Sequence, residues 1–512
     1  MVQANWRVYV VSLFAAIGGF CFGYDTGVLS GVLTMEHFIW TMRGRSFLTP
    51  LETGTLTGLL LAGCFVGALS AGQTAEILSR KRTIILASIV FMIGCAIQTA
   101  ANGYAMMVTG RAIAGLGVGS LSMVVPLYQS ELAPKEIRGR LISLQQFMIT
   151  AGLMVAFWCG AGTQYIEGEA SWRIPIGIQI GPGLVLAIGA LFLPYSPRWL
   201  VSKGRNEEAL EVLARLHAGG DRSSPVVNEE YNDIIQQVEL ERKISVTSYT
   251  ELFRPKNRRR LILGIFIQIF QQFTGINSIM YYAPRIFLQA GIAESSATLI
   301  ASGVNGVLNM LATLPAVLYL DRLGRRGTLI SGAIFMGSAM LLCGIVMGAV
   351  ADIEYNEETG QNEVVLGFNQ HASYFCIVMI YFFVAGFAYS WGPVGWVYPA
   401  EIFPLNIRAK ATSLTTAANW LMNFVISQIV PIMLSSITWG TYIFFGCCCF
   451  DNSIEKKIVM SVCVYIFYPE TKGRSLEEMD LVFDGPILVY KQKKSAGDQE
   501  KTHHTEEKGE FE

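Results

Sequence analysis

The sequence predicts an all-α membrane protein: twelve transmembrane helices arranged as two six-helix halves and joined by a cytoplasmic helical linker. Three observations predict it. The first is an internal repeat, in which WVYPAEIFPLNIRAK (396–410) matches PLYQSELAPKEIRGR (126–140) and keeps Tyr, Glu, Pro, Ile, Arg and a final basic residue in register. TAEILSRKRTI (74–84) likewise matches YLDRLGRRGTL (319–329), and Pro194 answers Pro469. Each copy lies just beyond long apolar runs, so the duplicated unit is a half containing several spans. The second observation is composition: 52% hydrophobic and 15% charged residues over 512 exclude a soluble globule of ordinary surface. The third is a series of apolar stretches of about 20 residues, the length needed to cross a hydrocarbon core of about 30 Å.

In order, the spans of the first half (1–193) lie near 8–33, 53–75, 83–101, 106–128, 141–162 and 173–193. The polar segment 194–260 follows. Within it NEEALEVLARL and NEEYNDIIQQVELERK have helical periodicity, which makes it a helical linker rather than a tether. The second half (261–483) has spans near 261–283, 296–320, 328–350, 372–398, 409–434 and 439–468, and a charged tail, 484–512, is expected to be disordered. The last span is interrupted by DNSIEKK (451–457); an insertion in an ordinary span is the simplest reading, and a real helix break is the alternative.

The net charge of −1 says nothing about partners and hides an asymmetry. Arg80, Lys81 and Arg82, then Lys135, Arg138 and Arg140, then Arg322, Arg325 and Arg326, then Arg408 and Lys410 crowd alternate loops. Those loops, and with them both termini, are cytoplasmic by the positive-inside rule. The opposite loops carry few cations, and 351–370 is an acidic loop with Asp352, Glu354, Glu357 and Glu358. No cleavable signal peptide is evident. The ten cysteines have no ligand-like CxxC spacing, so no metal site or disulfide framework is expected. No GxxxxGK[ST] loop is present, which removes ATP as an energy source within this chain.

Polar side chains inside spans carry the functional signal, because an unpartnered buried amide costs about 1–3 kcal/mol. They cluster: Gln145 and Gln146 in the fifth span, Gln271, Gln272 and Asn277 in the seventh, Asn305 and Asn309 in the eighth, Asn419 and Asn423 in the eleventh. The last two pairs are spaced i, i+4 and so share a helix face. Gly275, with Pro284 downstream, permits a break in the seventh helix that would open its backbone to a cavity. Amides offer donors and acceptors alike, which suits a neutral polyhydroxylated ligand, and Trp396 and Trp420 could stack on a pyranose ring. The plainer reading is that the amides bond helix to helix.

Asp25 in GYDTGVLSG and Arg111 in GRAIAGLG are the ionisable residues deep in spans. Each alone would cost about 2.5–3.5 kcal/mol at a helix centre, so they are expected to pair. An aspartate that gains and loses an arginine partner can switch protonation, which makes a proton-coupling device; a fixed structural ion pair is the alternative.

GRAIAGLGVG (110–119), PLYQSELAPKEIRGR, PYSPR (194–198), QQFTGIN (271–277), DRLGRR (321–326) and PETKG (469–473), in this order on six plus six spans, resemble the sugar porters of the major facilitator superfamily, fungal hexose transporters above all. The resemblance implies a monosaccharide transporter, for hexose or pentose, working by alternating access in the plasma membrane. It implies sugar contact at the positions matching Gln146, Gln271, Gln272, Asn277, Asn305 and Trp396, to which Asn419 is added; Asn309 and Trp420 read as packing. Asp25 matches the proton-symporting members, so symport is expected and facilitated diffusion is the alternative. The expected partners are the monosaccharide, a proton and the lipid bilayer, with no cofactor and no nucleic acid. Non-transporting sugar receptors resemble the chain too, but such receptors have long cytoplasmic tails. An enzyme is disfavoured, since no nucleophile, base and orienting group occur together in the spans.

The duplicated loop residues Glu131, Arg138, Arg140, Asp321, Arg325, Glu401 and Arg408 are expected at cytoplasmic span ends, where charges from the two halves can close an inner mouth. The alternative is a topology signal only. Tyr195 stands where the family has Glu, and Glu76 and Ser79 stand for the usual Asp and Gly, so the first-half lock is expected to be the looser one.

Overall fold

Both copies of the repeat fold as helical crossings in the computed structural model, which describes residues 6–134, 136–244, 249–289, 295–356, 361–365, 370–450 and 460–473, with 479 and 483. The first crossing is α1 (Trp6–Ala15) and α2 (Ile17–Val32); α3 (Glu36–Arg43) is a short amphipathic turn of helix ended by Gly44 at φ +64°. Next come α4 (Pro50–Ile77), α5 (Arg80–Thr99), α6 (Tyr104–Leu132) and α7 (Arg138–Thr163). The sixth crossing is α8 (Ala170–Ile178) and α9 (Ile180–Gly189). A capping box starts α4: Thr49 Oγ1 accepts from the Glu52 amide while the Glu52 carboxylate accepts from the Thr49 amide.

The linker holds α10 (Pro197–Ser202), α11 (Asn206–His217) and α12 (Pro225–Ile244), then a 3₁₀ turn at Tyr249–Phe253. In the second half the seventh crossing is divided into α13 (Pro255–Phe273) and α14 (Ile276–Gln289). Gly275 makes the break, with φ +89°, a conformation glycine adopts without strain. A Cβ there would also lie 2.7 Å from the Phe445 ring. The chain continues through α15 (Ser295–Leu323) and α16 (Arg325–Val350), the divided α17 (Gln370–Tyr389) and α18 (Trp391–Ile402), and α19 (Leu405–Ser436). It ends in α20 (Gly440–Phe450) and α21 (Met460–Phe467). The interruption DNSIEKK at 451–457 lies outside the described residues. Among the described residues ten helical stretches are long and apolar enough to cross a membrane; the divided seventh and twelfth crossings complete the twelve.

One element was not legible as such. The acidic loop after α16 contains an antiparallel hairpin of β1 (Asp352–Asn356) and β2 (Gln361–Val365), with Asp352 opposite Val365. Ile353, Tyr355, Val364 and Val365 supply strand propensity that the acidic residues mask in a composition reading.

Small residues set the helix contacts. A Cβ on Gly23 would lie 1.8 Å from the Ile149 carbonyl oxygen, and one on Gly152 2.3 Å from that of Phe20, so the α2 and α7 backbones touch. The two halves meet along α4 against α19 and α7 against α15. Asp25 and Gln146 are thereby carried to the centre of the bundle.

Candidate functional site

The break in the seventh crossing places four amides of that segment beside Asn419 of α19. Their hydrogen bonds run in one sense. Gln268 Nε2 donates to the Gly395 carbonyl (2.8 Å), and Asn419 Nδ2 donates to Gln268 Oε1 (2.6 Å) and Gln271 Oε1 (2.7 Å). Gln272 Nε2 donates to Asn419 Oδ1 (3.1 Å), and Asn277 Nδ2 donates to Gln272 Oε1 (2.6 Å). Gln271 Nε2 is anchored on the Trp391 carbonyl at 2.8 Å. Backbone acceptors at one end fix the orientation of every amide up to Asn277, which is half-buried and forms the open end. Gly395 is required by this arrangement, since a Cβ there would lie 2.3 Å from Gln271 Nε2.

Across from the ladder, Trp396 Nε1 donates to Gln146 Oε1 at 3.1 Å and joins α18 to α7. Phe22 of α2 meets Trp396 edge-on and lies 4.8 Å from the Trp420 ring. Trp420 is fully buried and donates to Ser122 Oγ of the first half at 2.9 Å. Asn305, also fully buried, reaches only the Met280 sulfur at 3.9 Å, and its Oδ1 has no partner. Asn309 Oδ1 and Asn423 Oδ1 are unpartnered as well, although Asn423 Nδ2 donates to Tyr281 OH at 3.1 Å. Buried acceptors without donors leave hydrogen-bonding capacity unused. Gln145 belongs to neither group: it packs against Gly19 of α2 with both side-chain polar atoms unpaired.

In the first half, Arg111 Nη1 donates to Asp25 Oδ1 at 2.9 Å, with both side chains buried. Arg111 Nε reaches the Leu56 carbonyl at 3.3 Å. Asp25 Oδ2 is buried and has no hydrogen-bond partner among the described residues.

The remaining candidates collect at the linker end of the bundle. Arg325 makes a two-pronged contact with Glu401, Nε to Oε2 at 3.1 Å and Nη2 to Oε1 at 2.6 Å, and Nη2 also reaches Asp321 at 2.9 Å. Glu131 is held by Arg80 at 2.7 Å and by Ser196 Oγ at 2.6 Å. Between the halves, the Arg140 amide donates to Asp321 Oδ2 at 2.9 Å and Lys410 pairs with Glu76 at 3.0 Å. Glu76 and Lys410 correspond in the repeat to Asp321 and Arg140, so the two cross-contacts are related by the duplication. Arg138 and Arg408 reach the Ala133 and Phe403 carbonyls through Nη2 and Nε, at 3.5 and 3.0 Å.

Thus Gln271, Gln272, Asn277 and Asn419 form one network, Gln146 and Trp396 pair across from it, and Asn305 stands apart beside Met280. The sequence reading missed Gln268, Phe22 and Arg80. Gln268 had a signal, lying three and four residues before Gln271 and Gln272 in an otherwise apolar run.

A family model described as Sugar (and other) transporter matches residues 11–483. The chain is 38% identical over 497 residues to the "MFS glucose transporter mfs1" of Aspergillus flavus, covering 95% of this chain and 91% of that protein. It is 35% identical over 495 residues to the "High glucose sensor RGT2" of Saccharomyces cerevisiae, covering 94% of this chain and 61% of that protein. Among solved structures, the MFS proton:xylose symporter XylE bound to 6-bromo-6-deoxy-D-glucose is similar at 28% identity and a TM-score of 0.76, over 93% of this chain and 99% of that one.

Proposed function

Because this chain belongs to the sugar transporter family, we propose that it carries a monosaccharide across the plasma membrane by alternating access, in symport with a proton. It is a transporter and not an enzyme. The one-directional amide ladder ending at the broken seventh helix carries the reading, with the unpartnered Asn305 oxygen of α15 as a further acceptor. A sugar hydroxyl both donates and accepts, so it can bond the open end at Asn277 and the orphan acceptor at Asn305 while Trp396 offers a ring face. The Gly275 break lets α14 move without disturbing α13, so the half-helix can close over the sugar.

The positive-inside asymmetry supports a cytoplasmic linker end and cytoplasmic termini. There the Arg325, Glu401 and Asp321 cluster, the Arg80 and Glu131 pair and the two cross-contacts form the inner gate, which opens when Arg140 parts from Asp321 and Lys410 from Glu76. Asp25 supplies the proton site: Arg111 holds one oxygen and leaves the other free. Facilitated diffusion is the second reading, favoured by how completely the Asp25 and Arg111 pair is buried, as a fixed structural pair would be.

Uptake of labelled hexoses and pentoses in a transporter-deficient cell, with and without a proton uncoupler, is the test. Saturable uptake abolished by uncoupler is the expected result. Saturable uptake indifferent to uncoupler rejects symport, and no uptake of any monosaccharide rejects the assignment.

A further inference from the structure

His217 ends α11 with both ring nitrogens engaged. Nδ1 lies 2.7 Å from Glu230 Oε2 of α12, and Nε2 lies 3.0 Å from the carbonyl oxygen of Leu132, the last residue of α6. A carboxylate and a backbone carbonyl only accept hydrogen bonds, so the two contacts exist together only if both nitrogens carry protons. A neutral ring, in either tautomer, turns a lone pair on one of these oxygens. The side chain is 3% exposed, which leaves water little room to repair the loss.

Position gives this contact leverage. Leu132 follows Glu131, the residue that holds Arg80, and α12 packs on α19 of the second half as well as on α11. His217 is therefore the pin that fastens a helix spanning both halves to the inner end of the first. Glu136, from the loop after α6, adds negative potential at the ring, while Arg198 of α10 and Arg138 of α7 face Glu230. On α11 itself, Arg215 pairs with Glu211. Burial lowers the affinity of His217 for its second proton, but the Glu230 hydrogen bond and charge, the Leu132 carbonyl and Glu136 outweigh burial and hold its pKa above the ordinary histidine value. Glu230, against its own burial, is held below the usual carboxylate range by His217, with Arg198 and Arg138 assisting.

We propose that His217 is a cytoplasmic proton sensor: as imidazolium it pins α11 and α12 across the inner mouth, and as neutral imidazole it releases them. The clamp is complete below the ordinary histidine value of 6.5 and is lost as cytoplasmic pH rises through the raised value. Its consequence for flux rests on the transport reading. Protons entering with sugar would acidify the cytoplasm, keep the mouth pinned and slow further entry.

Hydrogen exchange of the α11 and α12 amides in the purified full-length protein tests the clamp without measuring transport. After correction for the intrinsic pH dependence of exchange, protection in the wild type falls with rising pH, by at most about tenfold per pH unit for one linked proton. H217Q loses protection at acid pH and loses the step. E230Q keeps the ring, removes the charge, and moves the step to lower pH. A flat wild-type profile between about pH 6 and 8.5, or an unchanged step in H217Q, overturns the proposal. Sugar counterflow in proteoliposomes adds a second arm, in which wild-type exchange of sugar quickens as the linker-side compartment is made alkaline. Counterflow indifferent to linker-side pH overturns control of the mouth. Absence of counterflow at every pH refutes transport instead, and the amide exchange still decides the clamp.

Discussion

The linker ends of the two halves repeat several of each other's contacts, although Arg325 grips Glu401 with two nitrogens and reaches Asp321 as well, where Arg80 holds Glu131 through one. In the first half Tyr128 OH donates to the Pro194 carbonyl, Arg80 Nη1 to the carbonyl five residues before it, and Ser196 Oγ to Glu131. In the second half Tyr398, Arg325 and Thr471 do the same with Pro469, Leu320 and Glu401. The halves part at Glu470, whose carboxylate accepts from the Arg325 and Arg326 amides at 2.8 and 3.1 Å and so caps α16. The matching Tyr195 cannot do this; its ring stacks on Trp199 and lies under the Lys81 ammonium. They part again at Gly324 (φ +85°), where the first half has Ser79 in the same conformation at φ +98°. The second half thus has a carboxylate cap and an unstrained turn, and the first half has neither. The inner gate proposed here would therefore have one firm post and one that yields.

A second asymmetry lies at the membrane midplane. The paired charges Asp25 and Arg111 belong to the first half and the amide ladder to the second, so in the proposed reading proton and sugar would be bound on opposite halves and coupled only through the motion between them. Asp25→Asn breaks this division with the largest effect. The side chain keeps its shape but cannot release a proton, so concentrative uptake should vanish while exchange of labelled for unlabelled sugar survives. Sugar-induced pH change in wild-type cells, recorded directly, is the check. If there is none, Asp25 and Arg111 are structural.

Arg325→Ala and Arg80→Ala compare the two posts. Removing one partner of a buried ion pair typically costs about 3–5 kcal/mol. Arg325→Ala takes the cation from two carboxylates, Glu401, which keeps Thr471, and Asp321, which keeps the Arg140 amide, whereas Arg80→Ala takes it from one, Glu131, which keeps Ser196. Thermal unfolding in detergent should therefore show the greater loss for Arg325→Ala; equal losses would remove the distinction between the posts. At the sugar site, Gln272→Ala and Asn277→Ala should each weaken affinity by about 1–2 kcal/mol through lost hydrogen bonds. Membrane insertion should be intact, and unchanged Michaelis constants in both variants would rule out the ladder as the binding element.

Much of this was legible in the chain because a bilayer imposes a length. Spans stand out when each crossing needs about 20 apolar residues, and polar residues inside them are conspicuous for the same reason. Gly275 was readable as a break because it lies between Gln272 and Asn277 with Pro284 downstream. Gln268 was passed over despite its spacing from Gln271 and Gln272, since in IFIQIF it looks like an ordinary helix contact until Asn419 is seen to bond it. Arg80 was read as a topology signal within a basic triplet, and only the fold brings it to Glu131. The hairpin after α16 was hidden because two five-residue strands have too little apolar content to be separated from an acidic loop.

Exchanging the turn residues gives the smallest effect and the sharpest comparison. Ser79 occupies a conformation that costs a non-glycine residue about 1–3 kcal/mol, whereas replacing a serine cap by glycine costs only about a few tenths of a kcal/mol. The extra freedom of glycine in the unfolded chain takes back about 0.5–1 kcal/mol. Ser79→Gly should thus stabilise the first post by about 1 kcal/mol, read as a thermal transition a few degrees higher and as slower opening of the inner mouth in counterflow. Gly324→Ser should do the reverse by a larger amount. The new side chain accepts the same strain, and its Cβ would lie 2.7 Å from Glu470 Oε2, so it also disturbs the cap on α16. Opposite shifts in the two variants are expected because backbone strain, and not serine chemistry, separates the halves here. Shifts of the same sign would mean that the serine hydroxyl accepting from the Arg82 amide at 3.3 Å matters more than the turn it sits in.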